Sequence, residues 1–139
     1  MSLADNKNVA RRFLEEVMNR GNRAVGDHLV APDFVDHSPM PGFSPDAMGF
    51  KKGLAMVRTA MPDMKYTIED VIAEGDKVVV RWRASGTHKG EMFGIPPTSK
   101  SIVVTGIDIF RVSNGKLVEF WLNWDQLGML QQLGVIPSK

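Results

Sequence analysis

Residues 106–125 constrain the fold more than any other part of the chain, because they read as two long strands joined at Asn114-Gly115. An Asn-Gly pair tolerates the positive φ angles that a two-residue hairpin turn demands. With such a turn Ser113 pairs with Lys116, and counting outward predicts Asp108 opposite Trp121 and Val104 opposite Asp125. Side chains alternate across a strand, so Asp108, Phe110, Glu119, Trp121, Asn123 and Asp125 are expected to share one face. The other face then carries Ile107, Ile109, Val118, Phe120, Leu122 and Trp124 and is almost wholly apolar. Carboxylates opposite a buried face imply that water or chemistry lies on their side.

Upstream of this hairpin the periodicity is first helical and then two-residue. Val9, Phe13, Leu14, Val17 and Met18 form one stripe over residues 5–20, and Gly21 is a natural stop. A short helix is expected over 23–29, then loop over 31–43 with a brief extended piece at Phe34-Val35. Ser44-Pro45-Asp46 resembles a helix start with a capping serine, and Ala47, Phe50, Leu54, Val57 and Met61 continue it up to Pro62. Strands are predicted over 64–73 and 78–87, joined by a turn at 74–77. A long loop follows over 88–100, and after the hairpin comes a closing helix over 126–133. Helices followed by hairpin-connected strands predict an α+β fold, a curved antiparallel sheet with helices on one face. At 139 residues a single domain over 1–139 is expected, long enough to bury a core without staples.

Charge and composition exclude several functions. The net charge of +1, from scattered basic residues, forms no phosphate-tracking stripe, so nucleic acid is not an expected partner. The chain has no cysteine, which rules out thiol catalysis, thiolate metal sites and disulfides. The first residues hold no apolar run of signal-peptide length, and no later run could span a bilayer, so a cytoplasmic address and no membrane partner are expected. No His-x-x-x-His or similar pair suggests a metal. The spacing of Gly86, Gly90 and Gly94 suits turns and not a nucleotide.

Several segments together carry a resemblance. They are Asp33-Phe34-Val35-Asp36-His37, Met61-Pro62-Asp63, Glu74-Gly75-Asp76-Lys77-Val78, and Gly86-Thr87-His88-Lys89-Gly90-Glu91 with Gly94-Ile95-Pro96-Pro97-Thr98. Phe110-Arg111, Gly115-Lys116, Glu119-Phe120-Trp121 and Asp125 complete the set. In this order they resemble the cone-shaped α+β barrels of the nuclear transport factor 2 and ketosteroid isomerase superfamily. Within it the chain is similar to the SnoaL-like polyketide cyclases, also called predicted ester cyclases. The resemblance implies a sheet wrapped around the long helices to leave an apolar, cone-shaped pocket. It also implies an aspartate on the last strand, here Asp125, as acid/base for an aldol ring closure. Two departures stand out: Thr98-Ser99-Lys100 where the family usually has Thr-Gly-Lys, and Phe120 where it usually has histidine.

The candidate catalytic residues are therefore Asp125, Asp108, His37 and His88. A carboxylate in an apolar pocket has its pKa raised towards working pH and can move a carbon-bound proton; capping of the closing helix is the other reading of Asp125. Asp108 and Asn123 share its expected face, where they would hold an enolate oxygen or form a structural network. His37 and His88 lie at element edges, able to polarise a carbonyl or to anchor a loop. Trp121, Trp82, Phe110, Phe50 and Phe13 are expected to contact substrate, within a cavity made adaptable by some of the nine methionines. The expected ligand is a small apolar carbonyl compound, with no cofactor needed because a β-dicarbonyl supplies its own acidic proton. The second reading is an epoxide hydrolase or isomerase of the same superfamily using pocket carboxylates. For a hydrolase using Asp108 and Asp125 the resemblance implies an arginine between them, and Arg111 alternates to the other side. A non-catalytic ligand-binding or dimerisation module is the third reading. The face with Ile107, Ile109, Phe120, Leu122 and Trp124 is expected to meet a second copy in a homodimer.

Overall fold

The computed structural model describes residues 2–137 and begins with α1 (Leu3–Arg12). Ser2 and Asp5 form a capping box: the Asp5 amide donates to Ser2 Oγ at 3.0 Å and the Ser2 amide to Asp5 Oδ2 at 3.1 Å. The helix runs on into wider π turns over Phe13–Asn19, where Phe13 and Leu14 are buried. Such turns are rare and tend to occur at functional sites. Arg58 Nη1 closes the end of the rod by donating to the carbonyls of Met18 and Asn19, both at 3.2 Å. Next come α2 (Arg23–Leu29) and, after β1 (Val30–Asp36), α3 (Ala47–Ala60). The cap of α3 is Asp46 and not Ser44: Asp46 Oδ1 accepts the Gly49 amide at 2.9 Å, while Ser44 Oγ donates to that same oxygen at 2.7 Å. The helix thus starts two residues later than the Ser-Pro signal suggests.

Five strands form one sheet in the order β1-β5-β4-β3-β2. β2 (Lys65–Glu74), β3 (Lys77–Thr87), β4 (Ser101–Ser113) and β5 (Lys116–Trp124) make the expected antiparallel run. β1 (Val30–Asp36) is longer than the brief extended piece expected, and it pairs with β5 in parallel. The sheet is therefore mixed, and it curves without closing. Pro32 hides β1 from sequence reading, but a proline is tolerated where one side of the strand is an edge. The register of β1 against β5 shifts between Val30 and Val35, around this proline.

The hairpin overturns one expectation. Its turn is as predicted, with Asn114 and Gly115 both at positive φ and Ser113 opposite Lys116. Val112 pairs with Leu117, yet Arg111 pairs with Glu119, so Val118 is an extra residue with no partner. This β-bulge shifts every later pair by one: Asp108 lies opposite Leu122, Gly106 opposite Trp124, and the Asp125 amide donates to Thr105 O at 2.9 Å. A one-residue slip exchanges the two faces of a strand. Phe120, Leu122 and Trp124 consequently point inward with Asp108 and Phe110, while Glu119, Trp121 and Asn123 point outward with Ile107 and Ile109. Energetics favour this outcome. Each large apolar side chain covered contributes about 1.5 kcal/mol or more, against roughly 1 kcal/mol for the one ladder pairing that the bulge disrupts.

Phe13, Phe34, Phe50, Phe110 and Phe120 pack where helices meet the inner face of the sheet, with ring centroids 4.7 to 5.9 Å apart. No helix among the described residues is long and apolar enough to cross a membrane.

Candidate functional site

A cavity lies beside this aromatic cluster, between the inner sheet face and the helices. It leaves a void of about 80 Å³, several times what one water requires. Six of the nine methionines line it: Met18, Met40, Met61, Met64, Met92 and Met129. Unbranched thioether side chains can rearrange around ligands of differing shape. Against this apolar wall stand few polar groups, namely Asp36, Ser38, Tyr66, Asp108 and the indole of Trp82.

Asp108 reaches the cavity from the middle of β4 and is 2% exposed. Burial disfavours its charged form and pushes its pKa up to about 7, with the Trp82 indole N–H pulling weakly the other way. That N–H does not complete a hydrogen bond, and Asp108 Oδ2 and Trp82 Nε1 are both buried without a partner. Gly106 fixes this arrangement, since a Cβ there would fall 2.3 Å from Trp82 Cζ2. Only glycine lets the indole lie across β4 towards Asp108. Tyr66, on β2, meets Trp82 edge-on at 5.1 Å. Burial, and then the charge of Asp108, push the pKa of its phenol up, so Tyr66 remains a neutral O–H donor. The side-chain amide of Asn19 grips the Tyr66 backbone from both sides, donating to its carbonyl at 3.0 Å and accepting from its amide at 2.6 Å. The π segment and the site are thereby joined directly.

Sequence reasoning missed Asp36 and Tyr66 as site residues. Asp36 ends β1, is 5% exposed and lines the cavity. Burial raises its pKa, opposed by the Ser38 amide, which donates to Asp36 Oδ1 at 2.8 Å, and by nearby His37. Alternation from buried Phe34 would have placed Asp36 inside, had residues 31–43 been read as strand. Tyr66 was findable in the same way from Met64 and Ile68. Asp36 pairs with Phe120, which pairs with Phe110, so two strand spacings and two residues separate the acids, roughly 12 Å. They can flank one ligand but not share one proton.

Of the candidates read from sequence, Asp108, Trp82, Phe110, Phe50 and Phe13 line the cavity together. Asp125, Trp121, Asn123, His37 and His88 do not. Asp125 is exposed and caps α4 (Gln126–Leu133), its Oδ1 accepting the Gly128 amide at 2.9 Å. The bulge at Val118 carries Trp121 and Asn123 to the outer face. There His37 stacks on Trp121 at 4.7 Å and donates to Glu119 at 2.7 Å. Arg111 bonds the other oxygen of Glu119, so His37 and Arg111 together hold that carboxyl below its usual range. Arg111 thus faces away from the cavity, and no arginine lines it among the described residues, which removes the support for an epoxide-hydrolase arrangement. His88 is fully buried under the 88–100 loop, where its Nδ1 accepts the Thr98 amide at 3.3 Å and lies 3.0 Å from Thr98 Oγ1. It anchors a loop that carries Met92 and Phe93 to the cavity wall.

Comparison with known proteins agrees with this architecture. TsrD of Streptomyces laurentii superposes with a TM-score of 0.87 at 29% identity, covering 98% of this chain and 99% of that one. IdmH of Streptomyces antibioticus, described as a candidate polyketide cyclase, gives 0.81 at 33% identity over 93% and 98%. AclR of Streptomyces galilaeus, described as a candidate hydroxylase, gives 0.87 at 25% identity over 99% and 86%. These neighbours carry differing descriptions on one scaffold, so the reaction must be argued from the site. No curated protein matches the chain. Residues 8–133 match the family described as SnoaL-like polyketide cyclase. With that match spanning most of its length, the chain belongs to the SnoaL-like polyketide cyclase family.

Proposed function

We propose that the protein is an acid/base enzyme acting on a small apolar carbonyl compound, with Asp108 as the group that takes and returns the proton. A single observation carries this reading: a carboxyl group buried in an apolar cavity with its pKa pushed up to about 7. Near neutral pH both of its forms are populated, the condition under which general acid/base transfer is most effective. The Asp108 carboxylate removes a proton from the carbon next to a carbonyl, and the electron pair moves to the carbonyl oxygen as an enolate. Tyr66 O–H and Trp82 N–H supply donors for that oxygen. The enolate carbon then attacks a second carbonyl of the same molecule and closes a ring. Asp108 returns its proton to the new alkoxide, leaving the enzyme unchanged. Reprotonation at a different carbon would instead give an isomer.

Hydrogen–deuterium exchange at the α-carbon of 2-tetralone, followed by NMR in D₂O, isolates the first step. The wild type should accelerate exchange over buffer, with the rate rising as pH passes through about 7. Asp108→Asn should lose about 100-fold or more of that acceleration. Unchanged exchange in Asp108→Asn removes Asp108 from the mechanism. Binding of 2-tetralone without any acceleration by the wild type would favour a ligand-binding module.

A further inference from the structure

Building on Asp108 as the acid/base of the cavity, we propose that the substrate is amphiphilic. Its reacting apolar part enters the cavity, while a carboxylate or similar anionic arm lies outside, on Arg23 and Lys52. Two observations exclude an anion inside. Among the described residues no lysine, arginine or histidine lines the cavity, and its ionisable groups are the two carboxyls and one phenol. A second negative charge there would face Asp36 and Asp108 in a poorly solvated space, where repulsion is strong.

Directly beyond the cavity wall is a groove of about 880 Å³ along the helices. Met18, Leu54, Val57, Met64 and Tyr66 border both spaces, so a ligand passing this wall emerges in the groove. Four basic residues line the groove: Arg23, Lys51, Lys52 and Arg58. Two of them are committed, Lys51 to Asp27 at 2.9 Å and Arg58 to the helix-end carbonyls. Arg23 and Lys52 are exposed, and among the described residues neither has a carboxylate within 4.0 Å. Asp46, the other acid on the groove, is occupied by the Gly49 amide and Ser44 hydroxyl, and Lys52 acts on it only as the smallest influence, without an ion pair. Free positive charge outside and only acids inside orient an amphiphile in one direction, and they also steer it inward.

Titration calorimetry of the full chain with 4-(2-naphthyl)butanoate and its uncharged primary amide tests this without turnover. The wild type should bind the acid about fivefold more tightly than the amide, a preference that high salt removes. Arg23→Gln/Lys52→Gln should lose the preference while binding the amide as the wild type does, which also shows that the fold and cavity are intact. Equal affinities in the wild type, binding of neither compound, or the same preference in the double variant would overturn the proposal. Failure of the acid/base reading is seen separately, in exchange of 2-tetralone, which has no charged arm.

Discussion

Asp108 illustrates how one residue ties stability to function. Its carboxyl keeps its proton in the folded chain up to about pH 7, whereas the unfolded chain releases it near the ordinary value of 3.8. The folded state therefore binds more protons across that interval, and stability falls as pH rises through it. The contribution is fully favourable below the lower value and is lost above the upper one. Asp108→Asn removes the titration while keeping the shape. At about pH 8 that variant should be more stable than the wild type by up to about 4 kcal/mol, the gap narrowing as pH falls towards about 4. Urea unfolding of both proteins across this range measures it, and a pH-independent gap would show that Asp108 is not the titrating group. At this scale the sequence was partly legible. Asp108 was singled out for sharing a face with Asp125, a register that the bulge overturns. Its place beside Phe110 survives because alternation within β4 needs no partner strand, whereas Pro32 and Asp33 disguise the strand of Asp36.

Among the elements, the hairpin and the helix after it decide which carboxylate faces the cavity. The Asn114-Gly115 turn was readable because its φ requirements are local. The bulge at Val118 was not, since it depends on how Phe120, Leu122 and Trp124 pack against helices distant in sequence. Asp125 then falls one residue beyond the strand and caps α4. Asp125→Ala should cost about 1 kcal/mol in urea unfolding, the usual effect of losing such a cap. Exchange of 2-tetralone should persist in that variant. Loss of exchange from a folded Asp125→Ala protein would return Asp125 to the mechanism.

For the molecule as a whole, the curved sheet keeps one face for the cavity and turns the other to solvent. That outer face carries Val103, 49% exposed, and Ile107, 43% exposed, with Ile109 and Trp121 half-buried beside them. We propose that a second copy covers it in a two-fold dimer, through these residues and not the mixed set expected from the unbulged register. Light scattering at micromolar concentration should give the dimer mass, and Ile107→Lys should shift it towards monomer. A wild type that stays monomeric would defeat this arrangement.

Sequence alone determined the helices, the four strands of the antiparallel run, the position of the hairpin turn, and the family to which the motifs point, though not β1. It could do so because periodicity, turn chemistry and short motifs are properties of neighbouring residues. Tertiary structure decided the pairing of β1 with β5, the slip at Val118, and hence which face of β5 is buried. Those outcomes follow from burial summed over residues far apart in the chain, which outweighs the loss of one local backbone pairing.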